Sequence, residues 1–456
     1  MTFNLLFFIM FSIVALFLYH GIFKSHRNSF LLVISIIFYT MLDYKHMLLL
    51  FFSIFLTYFM VQKSCANIGI KRKIIAWCAI FWLLLALCFY KYFMGVMEKL
   101  DIVVLVILPV GISYYTFKMI SYIAENCLKK ESGSCQYSAM EYAVYVSLFS
   151  QIVSGPISKI SDLKLSSAYI GISKQGLLEN GRLIISGVFK KMVIADRLAV
   201  YTNYCFSHYS SMPVVALWMN VVFFSIQIYC DFCGYSEVAI GITRMFGLSC
   251  PDNFNLPYFS LTVKEFWHRW HISLSTWLKD YIYIPLGGNR KGKWTGIRNV
   301  ICVFVVSGLW HGNTLNFLLW GLWHGLFQSL SPSLRSLQRW WQRLICRIVT
   351  LLAVGIGWIF FYYSKLTDAV KYLWSLTGKL QLSVGVIIQS ILPFSSDYSC
   401  FAHFGIVFIM IGILFMYELF QYKGKKVDIG LEIVIDFIFI VMFGIFGTNN
   451  FIYANY

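Results

Sequence analysis

The sequence is poor in charge, and this shortage limits what kind of protein it can be. Only 12% of its 456 residues are Asp, Glu, Lys or Arg, whereas 59% are hydrophobic and 19% are aromatic, with a mean hydropathy of +0.71. Soluble domains average about 25% charged residues, so a soluble protein of this length could not cover its surface. Disorder, collagen-like repeats and a coiled coil are excluded by the same figures. The composition indicates a polytopic membrane protein.

Acidic residues are scarcer than basic ones: the chain has 20 Asp and Glu against 37 Lys and Arg, which gives a formal net charge of +17. A basic excess can indicate nucleic-acid binding, but here the cations stand in short clusters between apolar runs. That distribution is typical of cytoplasmic loops under the positive-inside rule. It predicts the lipid bilayer as a partner and no nucleic acid. The clusters are Lys24/Arg27, Lys71–Lys73, Lys190/Lys191, Arg290–Lys293, Arg335–Arg347 and Lys423–Lys426.

A disulfide framework is not expected from the twelve cysteines. They are scattered, many of them inside apolar runs, where a free cysteine behaves as a small hydrophobe. Cys230 and Cys233 have C-x-x-C spacing but lack a βαβ pattern around them. Cys127 and Cys135 share a polar loop and could pair only if that loop is extracytoplasmic.

The apolar runs predict an all-α bundle of roughly eleven to twelve transmembrane or re-entrant helices with interfacial amphipathic helices, in one domain covering residues 1–456. The first run, from Phe3 to Phe23, has no basic n-region and no cleavage site, so it is not a secretory signal peptide. Lys24 and Arg27 follow it, which favours an N-terminus outside and a first loop in the cytoplasm. No low-complexity linker is visible.

The segment from Pro251 to Arg298 is too polar to span a membrane and too aromatic for an ordinary loop. Its residues 261–281 predict one amphipathic helix that lies in or under the interface with its apolar stripe inward. The stripe consists of Val263, Trp267, Trp270, Leu274, Leu278 and Tyr281, and the polar side of Lys264, His268, Ser275 and Lys279. A turn-forming sequence and a basic loop, 284–293, follow.

Two of the nine histidines are candidates for chemistry. His271 lies on the inward stripe, whereas His268 is turned to the polar side. His311 stands between Trp310 and Gly312 in an otherwise hydrophobic helix, where an ionisable residue is a functional hypothesis by default. The alternative for both is a structural histidine with satisfied hydrogen bonds.

A short repeat, Leu-Trp-His-Gly, occurs at 309–312 and again at 322–325. His311 and His324 would point about 220° apart on a continuous helix and could not face one cavity. Of the two, His311 is the deeper group.

Asp231 is an isolated acid in an apolar helix. It could orient a histidine ring, or it could form an ion pair with Arg244 or Lys264. No H-E-x-x-H, no Cys/His group with ligand spacing, no G-x-S-x-G and no Walker lysine are present. Zinc, hydrolase and nucleotide-triphosphate readings therefore lack support, and no metal site is expected.

Several separated motifs make the chain recognisable. Pro251-x-Asn253-Phe254, Phe266-Trp267-x-Arg269-Trp270-His271, the run from Tyr283 to Asn289, and Gly308-Leu309-Trp310-His311-Gly312 occur in order, after matching stretches at 108–117, 151–157, 189–197 and 229–236. This pattern, over about residues 105–330, closely resembles the membrane-bound O-acyltransferase (MBOAT) family. It is most similar to the branch that contains the alginate O-acetylation membrane protein and peptidoglycan O-acetyltransferases. Cys233 departs from the family pattern, where serine is expected.

The resemblance implies an MBOAT-like bundle in the bacterial cytoplasmic (inner) membrane, with His311 as the catalytic histidine and His271 as the second active-site histidine. Asp231, Trp310 and Trp267 would support or orient them. A neutral histidine suits a general base, so His311 is assigned that role, and His271 orients the reactants or stabilises the oxyanion. No permanently bound cofactor is expected.

Acetyl-CoA would donate the acyl group from the cytoplasm, its phosphates attracted by Asn289, Arg290, Lys291 and Lys293, unless these cations serve topology alone. The acceptor would be a periplasmic or cell-surface polysaccharide, with a periplasmic SGNH-like acetyltransferase as partner. Two alternatives stay open. They are D-alanyl transfer from a carrier protein to teichoic acid, which the run from Tyr283 to Asn289 disfavours, and a glycolipid transporter or flippase.

Overall fold

The computed structural model describes residues 4–99, 107–129, 135–165, 171–391, 398–425 and 427–446. Across these ranges the chain is built from α-helices, short 3₁₀ and π turns and no strand, which confirms the all-α class. The α-helices are α1 (Leu5–Gly21), α2 (Arg27–Asp43), α3 (Met47–Cys65), α4 (Gly69–Lys99), α5 (Ile112–Ile123), α6 (Ala139–Ser147), α7 (Ile160–Leu163), α8 (Lys174–Val188), α9 (Asp196–Ser207), α10 (Val214–Met245), α11 (Val263–Arg269), α12 (Ile272–Leu278), α13 (Lys293–His311), α14 (Leu315–Leu330), α15 (Trp340–Tyr362), α16 (Leu366–Ser375), α17 (Val384–Ile391), α18 (Tyr398–Tyr422) and α19 (Ile429–Phe443).

Helices long and apolar enough to cross a bilayer confirm a multi-pass membrane protein. Within the described ranges five segments qualify: Arg27–Cys65, Gly69–Phe93, Val214–Met245, Trp340–Tyr362 and Gly405–Tyr422. The first apolar run forms α1, which is one residue short of that length, and Phe3 lies outside the described residues. Large apolar side chains stay exposed on these helices, such as Phe17 at 78% and Phe81 at 68%, as a surface against lipid requires.

The chain divides into two compact units, so the single-domain expectation stays a prediction. Unit 1 comprises residues 1–180 and 239–252. Its core contains a cluster of rings, among them Phe8, Phe38, Phe149 and Phe246. The Cys135 thiol lies 3.0 Å from that of Cys65 at the end of α3, a juxtaposition that the sequence did not suggest.

Unit 2 comprises residues 181–238 and 253–456 and holds both candidate histidines. Its core includes three tryptophans that are fully buried, Trp270, Trp320 and Trp358. Helices α13 and α14 form an antiparallel hairpin, since Phe304 faces Gly321 and Phe317 faces Gly308. The candidate site is built on this hairpin together with α11, α12 and α15.

Candidate active site

Glycines at the α13–α14 crossing bring the two helix backbones together and so position His311. A Cβ on Gly308 would lie 2.2 Å from the carbonyl oxygen of Phe317, and one on Gly321 would lie 2.3 Å from that of Phe304. No other residue fits at these two positions without separating the helices. The chain leaves α13 at His311 and enters α14 at Leu315. His311 and His324 therefore belong to two helices, and the continuous helix considered for the sequence repeat does not form.

His311 lies inside an aromatic enclosure at the end of α13. Its side chain is 3% exposed. The imidazole centroid is 4.8 Å from the ring of Trp310, 5.1 Å from that of Trp320 and 5.2 Å from that of Phe361. Three aromatic rings therefore pack against the imidazole.

The amphipathic helix predicted over 261–281 is interrupted, and His271 stands at the interruption. Trp270 is extended, His271 has a left-handed backbone (φ 44°, ψ 54°), and two seven-residue helices, α11 and α12, replace the single one. The prediction of a continuous helix is therefore wrong. The physical reason is Asn253, whose carbonyl accepts the Ile272 N–H at 2.9 Å and whose side-chain oxygen accepts the Ser273 N–H at 3.3 Å. These bonds replace two that helix continuation would have provided.

Asn253 also fixes the protonation pattern of His271. Its Oδ1 accepts from the Ser273 hydroxyl at 2.9 Å and lies 3.1 Å from His271 Nδ1, while its Nδ2 donates to the Ser236 hydroxyl at 3.1 Å. An amide oxygen only accepts hydrogen bonds, so the histidine proton is on Nδ1 and the lone pair is on Nε2. Among the described residues, Nε2 has no hydrogen-bond partner. The side chain is 1% exposed, and burial lowers the pKa of His271 to about 3. His271 is therefore neutral at physiological pH, with Nε2 as an acceptor.

The two histidines flank the same tryptophan. The ring centroid of Trp310 lies 4.8 Å from that of His311 and 6.5 Å from that of His271. On its other side His271 meets the edge of Phe232 at 4.7 Å. The structure thus brings together three of the residues that the sequence singled out. Asn253 also belongs to this group. The sequence shows it only as part of the motif Pro251-x-Asn253-Phe254 and does not mark it as a candidate site residue.

Asp231 forms an ion pair with a residue that the sequence did not indicate as its partner. Its carboxylate lies 2.6 Å from Lys191 Nζ, which also contacts Asp196 at 2.7 Å. The two ion-pair partners considered from sequence lie elsewhere: Arg244 pairs with Asp252, and Lys264 is exposed at the cavity described below. The following residue, Phe232, contacts His271, so α10 contacts this histidine through the phenyl ring of Phe232.

A cavity of about 730 Å³ runs beside α13. The lining residues of α13 follow one face from Lys293 to Ser307, about 21 Å at the rise of an α-helix. Ser307 stands one turn before His311. The other walls come from α11, α12 and the end of α14, where Lys264 donates its N–H to the Ser331 hydroxyl at 3.2 Å. Ligand cavities in proteins are commonly of this size.

Three lysines stand around the cavity, Lys264, Lys279 and Lys293, together with His268. Partial desolvation, followed by the charges of Lys264 and Lys279, lowers the pKa of His268. Of the four residues expected to attract phosphates, Asn289 and Lys293 line this space, whereas Arg290 and Lys291 are exposed in the preceding turn and do not line it. The sequence predicts Lys264 and Lys279 on the polar face of a helix and does not indicate this cavity.

Trp267 connects the cavity to His311 through Trp320. It lines the cavity, and its ring centroid is 5.5 Å from that of Trp320, which in turn contacts His311. Within the described ranges, no group of three or more His, Cys, Asp or Glu side chains is arranged to hold a metal ion. The arrangement offers two buried imidazoles and a cavity with cationic lining, which Trp267 and Trp320 link to His311.

Comparison with known proteins identifies the family of this chain. The family model described as MBOAT, membrane-bound O-acyltransferase family, matches residues 73–367. The probable alginate O-acetylase AlgI of Pseudomonas aeruginosa is 32% identical over 370 residues, which cover 76% of this chain and 69% of that protein. The peptidoglycan O-acetyltransferase of Helicobacter pylori is 32% identical over 394 residues, 76% of this chain and 73% of that protein.

A more distant relative is the teichoic acid D-alanyltransferase of Bacillus subtilis, 27% identical over 276 residues, which cover 55% of this chain and 68% of that protein. The match to the family model extends beyond the motif region at 105–330 in both directions. The chain belongs to the membrane-bound O-acyltransferase family and is an O-acyltransferase.

Proposed function

We propose that this O-acyltransferase transfers an acetyl group from cytoplasmic acetyl-CoA to a hydroxyl of a periplasmic or cell-surface polysaccharide, such as an exopolysaccharide or peptidoglycan. The observation that carries the proposal is the pair of buried imidazoles, His271 and His311, which both contact Trp310, together with a cavity that is lined by three lysines and ends at Ser307, one helical turn before His311. The relatives named as acetylases support acetyl over D-alanyl, since they align over a larger share of the chain than the D-alanyltransferases.

The cavity beside α13 is the proposed donor site. Lys264, Lys279 and Lys293 provide positive charge for the phosphates of coenzyme A. The apolar face of α13, with Val300, Val303 and Phe304, would line the pantetheine arm. This route directs the thioester toward Ser307, one turn from His311. Arg290 and Lys291, which do not line the cavity, would act only through their long-range field.

The reaction needs one proton acceptor near the thioester carbonyl. The acceptor hydroxyl oxygen attacks that carbon while its proton passes to His311. The C–S bond then breaks, and the thiolate of coenzyme A takes the proton back from His311. A general base of this kind contributes about 10²–10⁴-fold. No net proton is consumed.

His271 has a second, different part in this proposal. Its Nε2 carries a lone pair, so it can accept a hydrogen bond from a second hydroxyl of the acceptor, next to the attacking hydroxyl whose single proton passes to His311, and so orient the acceptor. Stabilising an oxyanion would require a proton on Nε2, and burial, which lowers the pKa of His271 to about 3, disfavours that state. Of the two roles expected from sequence, the geometry favours orientation of the acceptor. Trp310 and Trp267 would shape the walls between the histidines and the donor.

The remaining parts of the proposal concern the cell. We infer a location in the cytoplasmic (inner) membrane with the N-terminus outside, supported by the basic residues Lys24 and Arg27 directly after α1. An extracytoplasmic SGNH-like acetyltransferase would receive or complete the transfer to the polysaccharide. Co-expression of such a protein with this chain should raise ester formation on the polysaccharide, and an unchanged ester content with and without it would contradict the partnership.

The test uses the full chain in lipid vesicles with acetyl-CoA labelled in the acetyl group. His311→Ala should abolish thiol release and ester formation, and His271→Ala should reduce both at least about 10²-fold. His208→Ala is the matched control, since His208 is an exposed histidine at the end of α9 and should leave both rates unchanged. Wild-type ester formation by a stably expressed His311→Ala variant would refute the proposal. Labelled D-alanine transferred from a carrier protein, with no transfer from acetyl-CoA, would favour the D-alanyl alternative.

A further inference from the structure

The second histidine of the Leu-Trp-His-Gly repeat, His324, has no part in the chemistry proposed above, and yet it is completely buried. It stands on α14 with 0% exposure. Its ring centroid lies 5.0 Å from that of Trp267, 5.1 Å from that of Trp320 and 6.3 Å from that of Phe304. Burying an imidazole among indoles is costly unless the ring makes a specific bond there.

That bond is to Trp267. The indole Nε1–H donates to His324 Nδ1 at 3.4 Å, so Nδ1 carries the lone pair and the proton of the neutral ring is on Nε2. Among the described residues, Nε2 has no hydrogen-bond partner. It lies against α15 at Gly357, where a Cβ would come within 2.3 Å of it. The glycine therefore makes room for the imidazole in the one orientation that presents Nδ1 to Trp267.

Trp267 lies between the cavity and His311. It lines the cavity, together with Phe304, which its ring meets edge-on at 5.3 Å. Its ring also contacts Trp320, and Trp320 contacts His311. A turn of the Trp267 indole would therefore change the cavity wall on the side from which the ring contacts lead to His311.

We propose that His324 is a positioning residue, which through its Nδ1 holds the indole of Trp267 as the inner wall of the cavity and so limits the transferred acyl group to the size of acetyl. This inference rests on the proposed function, because it takes the cavity as the site of the acyl-CoA donor. It assigns His324 no contact with the reacting atoms. Loss of the hydrogen bond would let the indole turn and would admit longer acyl chains.

The experiment compares thiol release from acetyl-, propionyl- and butyryl-CoA by the full chain in vesicles. His324→Leu removes the acceptor and Trp267→Phe removes the donor. Either change should lower the preference for acetyl over butyryl in kcat/KM by about tenfold or more, since each methylene that a pocket accepts or rejects is worth about 10-fold or more. The double variant should show no further loss, because both substitutions break the same bond.

Two further variants separate positioning from a structural role. His324→Asn retains an acceptor close to the position of Nδ1 and should restore most of the selectivity. Trp323→Phe is the matched control, because the neighbouring indole donates to the Ala353 carbonyl at 2.7 Å and does not line the cavity. It should leave the acetyl preference unchanged. If His324→Leu does not survive purification, Trp267→Phe and His324→Asn still carry the comparison.

The outcomes distinguish this inference from the proposed function. If the wild-type chain releases no thiol from acetyl-CoA, the donor assignment is wrong and the limit on the acyl group falls with it. If the wild type turns over acetyl-CoA but His324→Leu and Trp267→Phe lower all three rates equally, the roles are structural and the inference is overturned. A selectivity loss in Trp267→Phe alone would also overturn it.

Discussion

Asn253 provides the most direct test of how the site works, because one side chain satisfies four groups around His271. Its Oδ1 serves His271 Nδ1, the Ser273 hydroxyl and the Ser273 N–H, and its Nδ2 serves the Ser236 hydroxyl. Asn253→Ala removes all of these bonds and keeps the backbone carbonyl that accepts from Ile272. The substitution therefore changes the bonding of the histidine without removing the histidine.

The structure sets the expected size of the effect. Each buried donor left without an acceptor costs about 1–3 kcal/mol, and Ser273 can turn its hydroxyl to another acceptor. We expect a loss of about 2–4 kcal/mol in the free energy of unfolding. The imidazole is then free to place its proton on Nε2, which removes the acceptor. We expect kcat to fall at least about 10²-fold, up to the ~10⁴-fold that a wrong tautomer costs in a serine-protease triad.

A second substitution tests the sign of the argument. Asn253→Asp places a carboxylate at Nδ1 and should raise the pKa of His271 from its burial-lowered value of about 3. Below the new pKa, Nε2 is protonated and cannot accept a hydrogen bond from the substrate hydroxyl. The variant should therefore lose activity as the pH falls through that pKa and recover it at higher pH. The wild type should have no acid limb from His271 above about pH 4, one unit above its pKa.

The assay is thiol release from acetyl-CoA, with thermal unfolding measured on the same preparations. Asn220→Ala is the control, because Asn220 is an equally buried amide in α10 whose Nδ2 donates to Tyr372 at 3.0 Å, away from the histidines. It should lower stability and leave kcat unchanged in the folded fraction. If Asn253→Ala behaved in the same way, the assignment of the His271 tautomer would be refuted.

Three further outcomes follow from the contacts of the described residues. Lys279→Ala should raise the KM for acetyl-CoA several-fold, up to about tenfold, at unchanged kcat, and the KM should rise with salt. An unchanged KM would exclude Lys279 from the proposed donor site. Lys191→Met leaves both Asp231 and Asp196 buried without that cation and should cost about 3–5 kcal/mol in thermal or denaturant unfolding. An added Asp231→Leu should restore only the part that comes from Asp231, and a mild single variant would show that the pairs are weak. Gly308→Ala places a Cβ 2.2 Å from a carbonyl oxygen of the facing helix and should destabilise the protein by about 1–3 kcal/mol. Gly412→Ala, with no atom within 4 Å of its Cβ, should be neutral, and equal melting temperatures of the two variants would contradict the close crossing.

The class of protein could be predicted from the sequence, and the two histidines could be selected there as candidates, for different reasons. Scarcity of charge is a property of the whole chain, so it predicts a membrane protein without any knowledge of contacts. His311 and His271 stand out because a polar residue in an apolar pattern is visible locally. The family and its motif order could be recognised in the same way, and comparison with known proteins confirms the family.

The parts that could not be predicted depend on contacts between distant residues. Hydropathy alone would end the apolar run from 213 near Cys230, but α10 continues to Met245. Hydropathy treats Asp231 and Glu237 as breaks, whereas in the fold they pair with Lys191 and Lys190 and are buried or nearly so. Such a pairing joins residues about forty positions apart, which no local window contains.

The break at His271 has the same origin. Periodicity favoured one helix from 261 to 281, and every residue across the break is compatible with a helix. The bonds that stop it come from Asn253, eighteen positions earlier. Left-handed backbone at a residue with a side chain costs about 1–2 kcal/mol, and it persists because the Asn253 bonds hold Ile272 and Ser273 in place.

Two costs fall on His271, and together they lead to a last prediction. The residue has a left-handed backbone, and its Nε2 is a buried acceptor with no partner among the described protein groups. An unsatisfied buried acceptor costs about 1–3 kcal/mol, and costs of this kind concentrate where a site must receive a substrate. His271→Phe keeps an aromatic ring of slightly larger size against Phe232 and removes the unpaired nitrogen, while Asn253 retains its bonds to Ser273. We expect its free energy of unfolding to be unchanged or up to about 1 kcal/mol higher, with acetyl transfer reduced at least about 10²-fold. A histidine that served packing alone would give the opposite pattern, in which stability falls and activity follows only the folded fraction.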